Sequence, residues 1–452
     1  MGSLFKVIRF AIFLDKHPKK STVMRILLAL LFSFVSVACY AQTESILYTP
    51  PLTDALPENV GMSSERLTRV DEMIRNAIDE NQIPGAVALV ARDGQIVYHK
   101  AFGMADNRAR RELQRDDIFR IASQTKAITA TAVMMLWEHG LFRLDDPISE
   151  YLPVFGDAQI LDTFNAEDTT YTTIPAENQI TIRHLLTHTS GIGYGVIDGD
   201  ERFKMIYEKA GVTDLFTTED ITIEESVSRL AKLPLHHEPG GKVTYSEGLD
   251  VLGYFIEVIS GMPFDEYLRT HIFDPLGMED TWFYLPESKY ERLVTVQRKD
   301  EEGAWEPYPV TFYDPDYPRE GAMAFFSGGA GLSSTAADYA RFLQMYLNNG
   351  EYGGTRLLSR TTVNFMMQNQ VGELWDDGAE LGLAFGLVDE KGEAMGGRGS
   401  YGTFDWGGYF NTQYFADPNE GVIGLIFKQT RGSTGDETGW KFRQLVFQAI
   451  DD

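Results

Sequence analysis

Ser123 and Lys126 stand three residues apart in the stretch Ile121-Ala122-Ser123-Gln124-Thr125-Lys126, just ahead of an apolar run, Ala-Ile-Thr-Ala-Thr-Ala-Val-Met-Met-Leu-Trp-Glu-His, over 127–139. On a helix, positions i and i+3 share a face, so this spacing brings an amine within reach of a hydroxyl. A helix N-terminus favours negative charge developing on that hydroxyl, and burial of the amine favours its uncharged, basic form. The pair therefore predicts a nucleophilic serine with a lysine base, on the first turn of a buried helix capped by Gly140. A lone Ser-x-x-Lys is more often a helix-start serine beside a solvent-facing lysine, so other motifs have to carry the chemistry.

Holding such a pair in place takes a large core, and 452 residues with 43% hydrophobic content can bury one, divided between two lobes. Leu67, Val70, Met73, Ile74, Ala77 and Ile78 keep helical spacing, and Pro84-Gly85 ends the pattern. Residues 86–90 and 95–102 read as strands joined through Arg92-Asp93-Gly94, a hairpin signal. From 141 to about 326 the pattern turns to helices and long loops, with helical runs at 223–233, 249–259 and 264–273. Trp305, Tyr308, Phe312, Tyr313 and Tyr317 fall among prolines in a segment that suits either a loop folded over a cleft or a packed surface loop. Ser327-Gly328-Gly329-Ala330-Gly331 forms a joint, followed by a helix over 335–347, strands over 381–388, 402–409, 413–416 and 422–429, and a closing helix over 440–450. Strands from both ends of the chain around inserted helices predict an α+β fold. A linker at 42–60 would lead into a discontinuous α/β lobe (61–122 and 327–452) and a helical lobe (123–326), with Ser123 at their junction.

Three motifs then follow in order: Ser123-Gln124-Thr125-Lys126, Tyr245-Ser246-Glu247 and Trp406-Gly407-Gly408. This order resembles that of the serine β-lactamase and penicillin-binding protein superfamily, closest to its class C and family VIII esterase-like branch. The stretches HLLTHTSGI (184–192), SGGAGLSSTAADYARFLQMYLNNG (327–350) and DPNEGVIGLIF (417–427) are similar to the same superfamily, so the resemblance spans the chain from about Gly61 onward. It implies a β-lactamase/transpeptidase-like fold, an antiparallel sheet flanked by helices, and a serine hydrolase that works without a cofactor or metal. It also implies that Ser123 attacks a carbonyl, that Lys126 takes its proton and that Tyr245 relays protons to the leaving group. The backbone N–H groups of Ser123 and Tyr409 would form the oxyanion site, and Gly407 and Gly408 would let substrate lie close along the strand. Substrates would be small esters or amides, peptidoglycan-derived ones included.

Two departures set the specificity expectation. Trp406 stands where lactamases and penicillin-binding proteins usually carry lysine, and Glu247 where the second motif usually has asparagine. With Glu247 facing the cleft, carboxylate-bearing β-lactams and D-Ala-D-Ala peptides would meet a like charge costing on the order of a few kcal/mol. Neutral esters would be accepted, a free amine could gain from Glu247, and Arg398 could swing in as a replacement cation. A carboxylesterase is therefore the leading reading; β-lactamase, D-alanyl-D-alanine carboxypeptidase or D-aminopeptidase are the alternatives, followed by a non-catalytic cell-wall-binding protein. No Gly-x-Ser-x-Gly elbow and no phosphate-loop motif occurs. His184 and His188, four apart, with His236-His237, could ligate zinc, but the chain holds no HExxH.

The formal charge of −26 argues against nucleic acid and anionic membranes as partners. The first 41 residues carry six basic and one acidic side chain, so the remainder is more acidic still. Within them ILLALLFSFVSVA (26–38) is too short to span a bilayer and follows Arg25, the pattern of a secretory signal cleaved after Ala41. The expected product is exported, periplasmic or secreted, and without a thiol, because Cys39 is the one cysteine; lipid anchoring through Cys39 is the alternative.

Overall fold

The computed structural model describes residues 44–375, 379–432 and 435–452; the signal predicted over 1–41, with Cys39 and the cleavage point after Ala41, lies outside them. Among the described residues no helix is long and apolar enough to cross a membrane. Nine strands make the main sheet: β1 (Thr53–Asp54), β2 (Gly85–Arg92), β3 (Gln95–Asp106), β4 (Arg111–Glu112), β5 (Ala379–Leu381), β6 (Gly386–Val388), β7 (Phe404–Gly407), β8 (Thr412–Asp417) and β9 (Val422–Phe427). Their order is β1-β3-β2-β9-β8-β7-β6-β5, with β4 on β3, and the long pairs are antiparallel. The two chain ends meet where β9 pairs with β2, Val422 opposite Arg92 through Phe427 opposite Val87. Every residue of β2 is buried, which is why this stretch reads as a continuous apolar run rather than an alternating one.

Ala86, Ala88 and Val90 face α1 (Ser64–Asp79) and the C-terminal helix (Thr438–Phe447), packing with Leu67, Val70, Ile74, Phe442 and Val446. Ser63 caps α1 by accepting from the Arg66 N–H. On the helical side, α2 (Thr125–Glu138) packs against α3 (Gly248–Ser260), and α4 (Ala336–Leu347) lies against β2 and β9; the C-terminal helix is α5. Thr125 to Leu136 is buried without a break, so α2 lacks a polar face because both of its sides are covered.

Several elements differ from the sequence expectation. The strand expected over 381–388 is two strands, β5 and β6, paired Leu381 to Gly386 through a turn in which Ala384 has φ +65°. The helix expected over 264–273 is α-helical only at Phe264–Leu268 and widens into a π turn at Arg269–Phe273. A hairpin, Gln159–Asn165 with Thr170–Pro175, occupies a region read as helices and loops; its residues are mostly exposed, so it carries no apolar alternation to find.

Candidate active site

Ser123 sits in a single 3-10 turn, Ala122–Gln124, that feeds straight into α2. Ala122 before it has φ +44°, a left-handed conformation that costs a non-glycine residue of order 1–3 kcal/mol and is held by its surroundings. Those surroundings are the 327–332 segment: Ile121 donates its N–H to Leu332 O (3.0 Å), Leu332 donates to Thr125 Oγ1 (3.1 Å), and Thr129 Oγ1 donates to Gly328 O (2.7 Å).

Lys126, on the same face one turn on, is 1% exposed. Its Nζ donates to Tyr194 Oη (2.9 Å) and to Gly329 O (2.8 Å), and it lies 4.6 Å from the Tyr245 ring centroid. Gly329 is glycine for a steric reason, since a Cβ there would come 2.4 Å from Asp250 Oδ2. Asp250, on the first turn of α3, accepts from Ser327 Oγ (2.5 Å) and from the Gly329 N–H (3.2 Å), so one residue is gripped by a carboxyl at its N–H and by the lysine at its carbonyl.

Tyr245 is half-buried, with its ring 4.7 Å from His188, 5.4 Å from Tyr194 and 6.1 Å from Trp406. His188 itself has φ +58°, shares a hydrogen bond between Nδ1 and Ser246 Oγ (3.0 Å), and is pushed down to about 3 by burial and then by the Lys126 charge, so it is neutral at ordinary pH. Tyr194, absent from the sequence reading, is the amine's direct partner. Burial, then Tyr245 and the Asp250, Glu247 and Asp214 carboxyls, hold its phenol well above the usual range. The motif stretch quoted over 184–192 stops two residues short of it, and one tyrosine in a glycine-rich loop gives no periodic signal.

Alternate residues of β7 divide two faces. Trp406 meets Tyr245, while Asp405 pairs with Arg443 of α5 (2.5 Å). Arg398 lies toward α5: its carbonyl accepts from Arg443, and it borders a cavity with Trp406, Gln413 and Trp440. Gly408 lies so close to the Ser123 turn that a Cβ would meet Ile121 O at 2.4 Å, which brings the end of β7 beside the nucleophile. The next N–H, that of Tyr409, has no acceptor among the described residues. Arg431 stacks on the Tyr409 ring (3.5 Å to the centroid) and donates to Tyr409 O (3.0 Å), a cation at this edge that the sequence reading missed.

Glu247 departs most from expectation. It is 3% exposed, turned inward to the Asp214 side chain rather than to the cleft, and its carboxyl is raised well above the usual range by burial first and Asp214 second. A buried acid in this environment is neutral, so it presents no repelling charge to substrate. Of the aromatic segment, Tyr313 and Tyr317 share one buried cluster with Phe216, Phe410, Ala122 and Tyr194, with Tyr245, Tyr308 and Tyr409 packed at its edge. Trp305 is apart, in a short hairpin under Lys299. The histidines weighed as zinc ligands have other partners: His184 Nδ1 accepts from the Thr181 N–H, His236 pairs with Asp198 (3.1 Å), and His237 Nε2 contacts Thr244 Oγ1 (2.9 Å).

The Beta-lactamase family profile matches residues 70–448. The chain is 32% identical over 381 residues to esterase EstB of Burkholderia gladioli, covering 80% of this chain and 90% of that one. It is 29% identical over 380 residues to lovastatin esterase of Penicillium rubens, covering 79% and 91%. Among solved structures it is similar to EstCE1, described as a hydrolase with promiscuous acyltransferase activity, at TM-score 0.72 and 28% identity over 86% of this chain and 98% of that one. A Ser-x-x-Lys turn beside two tyrosines, a strand ending in Trp-Gly-Gly and a match over most of its length agree: the chain belongs to the beta-lactamase family and is a serine hydrolase of its α+β, penicillin-binding-protein-like fold.

Proposed function

We propose that the protein is a carboxylesterase acting through an acyl-enzyme on neutral esters, exported after removal of residues 1–41. The observation that carries this is the lysine's hydrogen bonding. Lys126 Nζ spends two N–H groups on Tyr194 Oη and Gly329 O, so its remaining position serves the proton of Ser123, one helical turn away. In the forward half-reaction Ser123 Oγ attacks the ester carbonyl as its proton passes to Lys126. The oxyanion is held by the N–H groups of Ser123 and Tyr409, each such donor contributing about 3–4 kcal/mol. Collapse breaks the ester C–O bond, Tyr245 passes a proton to the departing alcohol, and water reverses the sequence to free the acid.

Ester preference follows from charge. Trp406 brings none to the third motif and the buried, neutral Glu247 adds none, while aromatic side chains wall the Ser123 side. The aminopeptidase reading loses its support with the Glu247 charge. One observation favours a second reading, a carboxylate-recognising β-lactamase or carboxypeptidase: Arg431 places a cation against Tyr409.

A panel of short p-nitrophenyl esters, an amino-acid p-nitroanilide and nitrocefin separates the two. The carboxylesterase reading gives kcat/KM highest for esters and little changed by Arg431→Ala. Nitrocefin turnover above ester turnover, lost on Arg431→Ala, establishes the second reading instead. Export is tested by N-terminal sequencing of the native protein: Gln42 as first residue supports it, and a lipid-modified Cys39 contradicts it.

A further inference from the structure

Behind Lys126 lies a group of acids that the proposed reaction does not use. Asp214 accepts the N–H groups of Gly195 (3.2 Å) and Val196, the two residues after Tyr194. Glu247 ends the Tyr245 motif, donates its own N–H to Gly193 O (3.1 Å), and sets its buried carboxyl against that of Asp214. Tyr207 Oη accepts the Gly193 N–H (3.3 Å), and Asp198 accepts the Tyr194 N–H (3.0 Å). Each backbone N–H from Gly193 to Val196 is thus tied down around Tyr194. To the backbone tie from Glu247 to Gly193, the Asp214 and Glu247 carboxyls add a side-chain tie to the Tyr245 segment.

Two carboxylates cannot hydrogen-bond each other; one has to carry a proton. We propose that Glu247 and Asp214 share a single proton and so latch together the segments bearing Tyr194 and Tyr245, which makes them positioning residues for the lysine between those phenols. The proton resides on Glu247. Asp214 already accepts two backbone N–H groups, whereas no backbone N–H reaches the Glu247 carboxyl among the described residues, and Glu247 Oε1 is buried there without a partner. The groups facing Glu247 from the packed elements agree. Asp214 and Asp250 disfavour its ionisation, Lys126 alone opposes them, and Tyr194 and Tyr207 are neutral phenols. The kinetic meaning of the latch rests on the esterase reading; the proton itself does not.

The experiment uses the full chain, and its first readout is infrared. At neutral pH the wild type should show the C=O stretch of a neutral carboxylic acid, absent from Glu247→Gln and shifted in Asp214→Asn. The second is thermal. An unfolded glutamic acid ionises near about 4.3, whereas the folded one keeps its proton, so wild-type stability falls as pH rises above that value. Glu247→Gln, permanently neutral and still able to donate to Asp214, escapes this loss, so its Tm relative to wild type climbs with pH. The third is kinetic. Glu247→Gln keeps kcat, whereas Glu247→Ala lowers kcat on the order of a hundredfold through misplacement of the phenols, with KM little changed. No neutral-acid band in the wild type, together with a Tm difference flat in pH, overturns the latch even where esterase activity is found. The band without any ester turnover leaves the latch standing and overturns the esterase reading.

Discussion

Tyr194 and Tyr245 flank one amine and do different work. Tyr194 Oη accepts from Lys126 at 2.9 Å, while the half-buried Tyr245 ring lies 4.6 Å from the amine. Tyr194→Phe removes an acceptor from a buried amine, worth about 1.5–3 kcal/mol, so kcat should fall roughly tenfold to a hundredfold with KM nearly unchanged. Steady-state kinetics on a p-nitrophenyl ester checks this; a rise in KM alone would place Tyr194 in substrate binding instead. Ser123, Lys126 and Tyr245 were legible in the sequence because order and spacing survive in one dimension. Tyr194 and Arg431 were not, because each acts through a contact made by distant folding: Tyr194 with Lys126, Arg431 with Tyr409. Glu247 was legible as a motif position but misread in role, since nothing in its neighbours' identities announces Asp214 across the packed loop.

At the scale of elements, α2 is held by the 327–332 segment at three successive points, through Leu332, Gly329 and Gly328. Gly329→Ala would drive a methyl to 2.4 Å from Asp250 Oδ2 and push away the carbonyl that orients Lys126. A displacement of about 1 Å there should cost on the order of a hundredfold in kcat, with labelling of Ser123 slowed in parallel. Unchanged labelling would show that the lysine does not depend on this segment. Helices were readable from periodicity, as α1 shows, and the β2–β3 hairpin from its apolar run and its turn residues. The hairpin over 159–175 was not, because a pair of strands exposed on both sides gives up the alternation that marks burial.

The whole molecule closes through its two chain ends, at the β9–β2 pairing and at a buried ion pair just beyond it. Lys428, 1% exposed, holds Asp436 at 2.8 Å and Thr438 at the start of α5 at 2.7 Å. Burial lowers the Lys428 pKa, while Asp436 is held below the usual carboxylate range by Lys428 and its hydrogen bonds, against the opposing effect of its own burial. Asp436→Ala leaves a buried, unpaired ammonium and should destabilise the fold by about 3–5 kcal/mol, read by urea unfolding. Because the folded Asp436 pKa is depressed, its contribution is present above the unfolded value of about 3.9 and disappears as pH falls through the folded one. The gap between wild type and variant should therefore shrink at acid pH.

The kinetic predictions depend on one covalent event, attack by Ser123 Oγ on a bound electrophile. Intact-mass spectrometry after a fluorophosphonate, followed by peptide mapping, measures it directly. The account predicts a single adduct on the peptide containing Ser123, absent from Ser123→Ala and greatly slowed in Lys126→Ala. An adduct that persists in Ser123→Ala, or that maps to another residue, contradicts it.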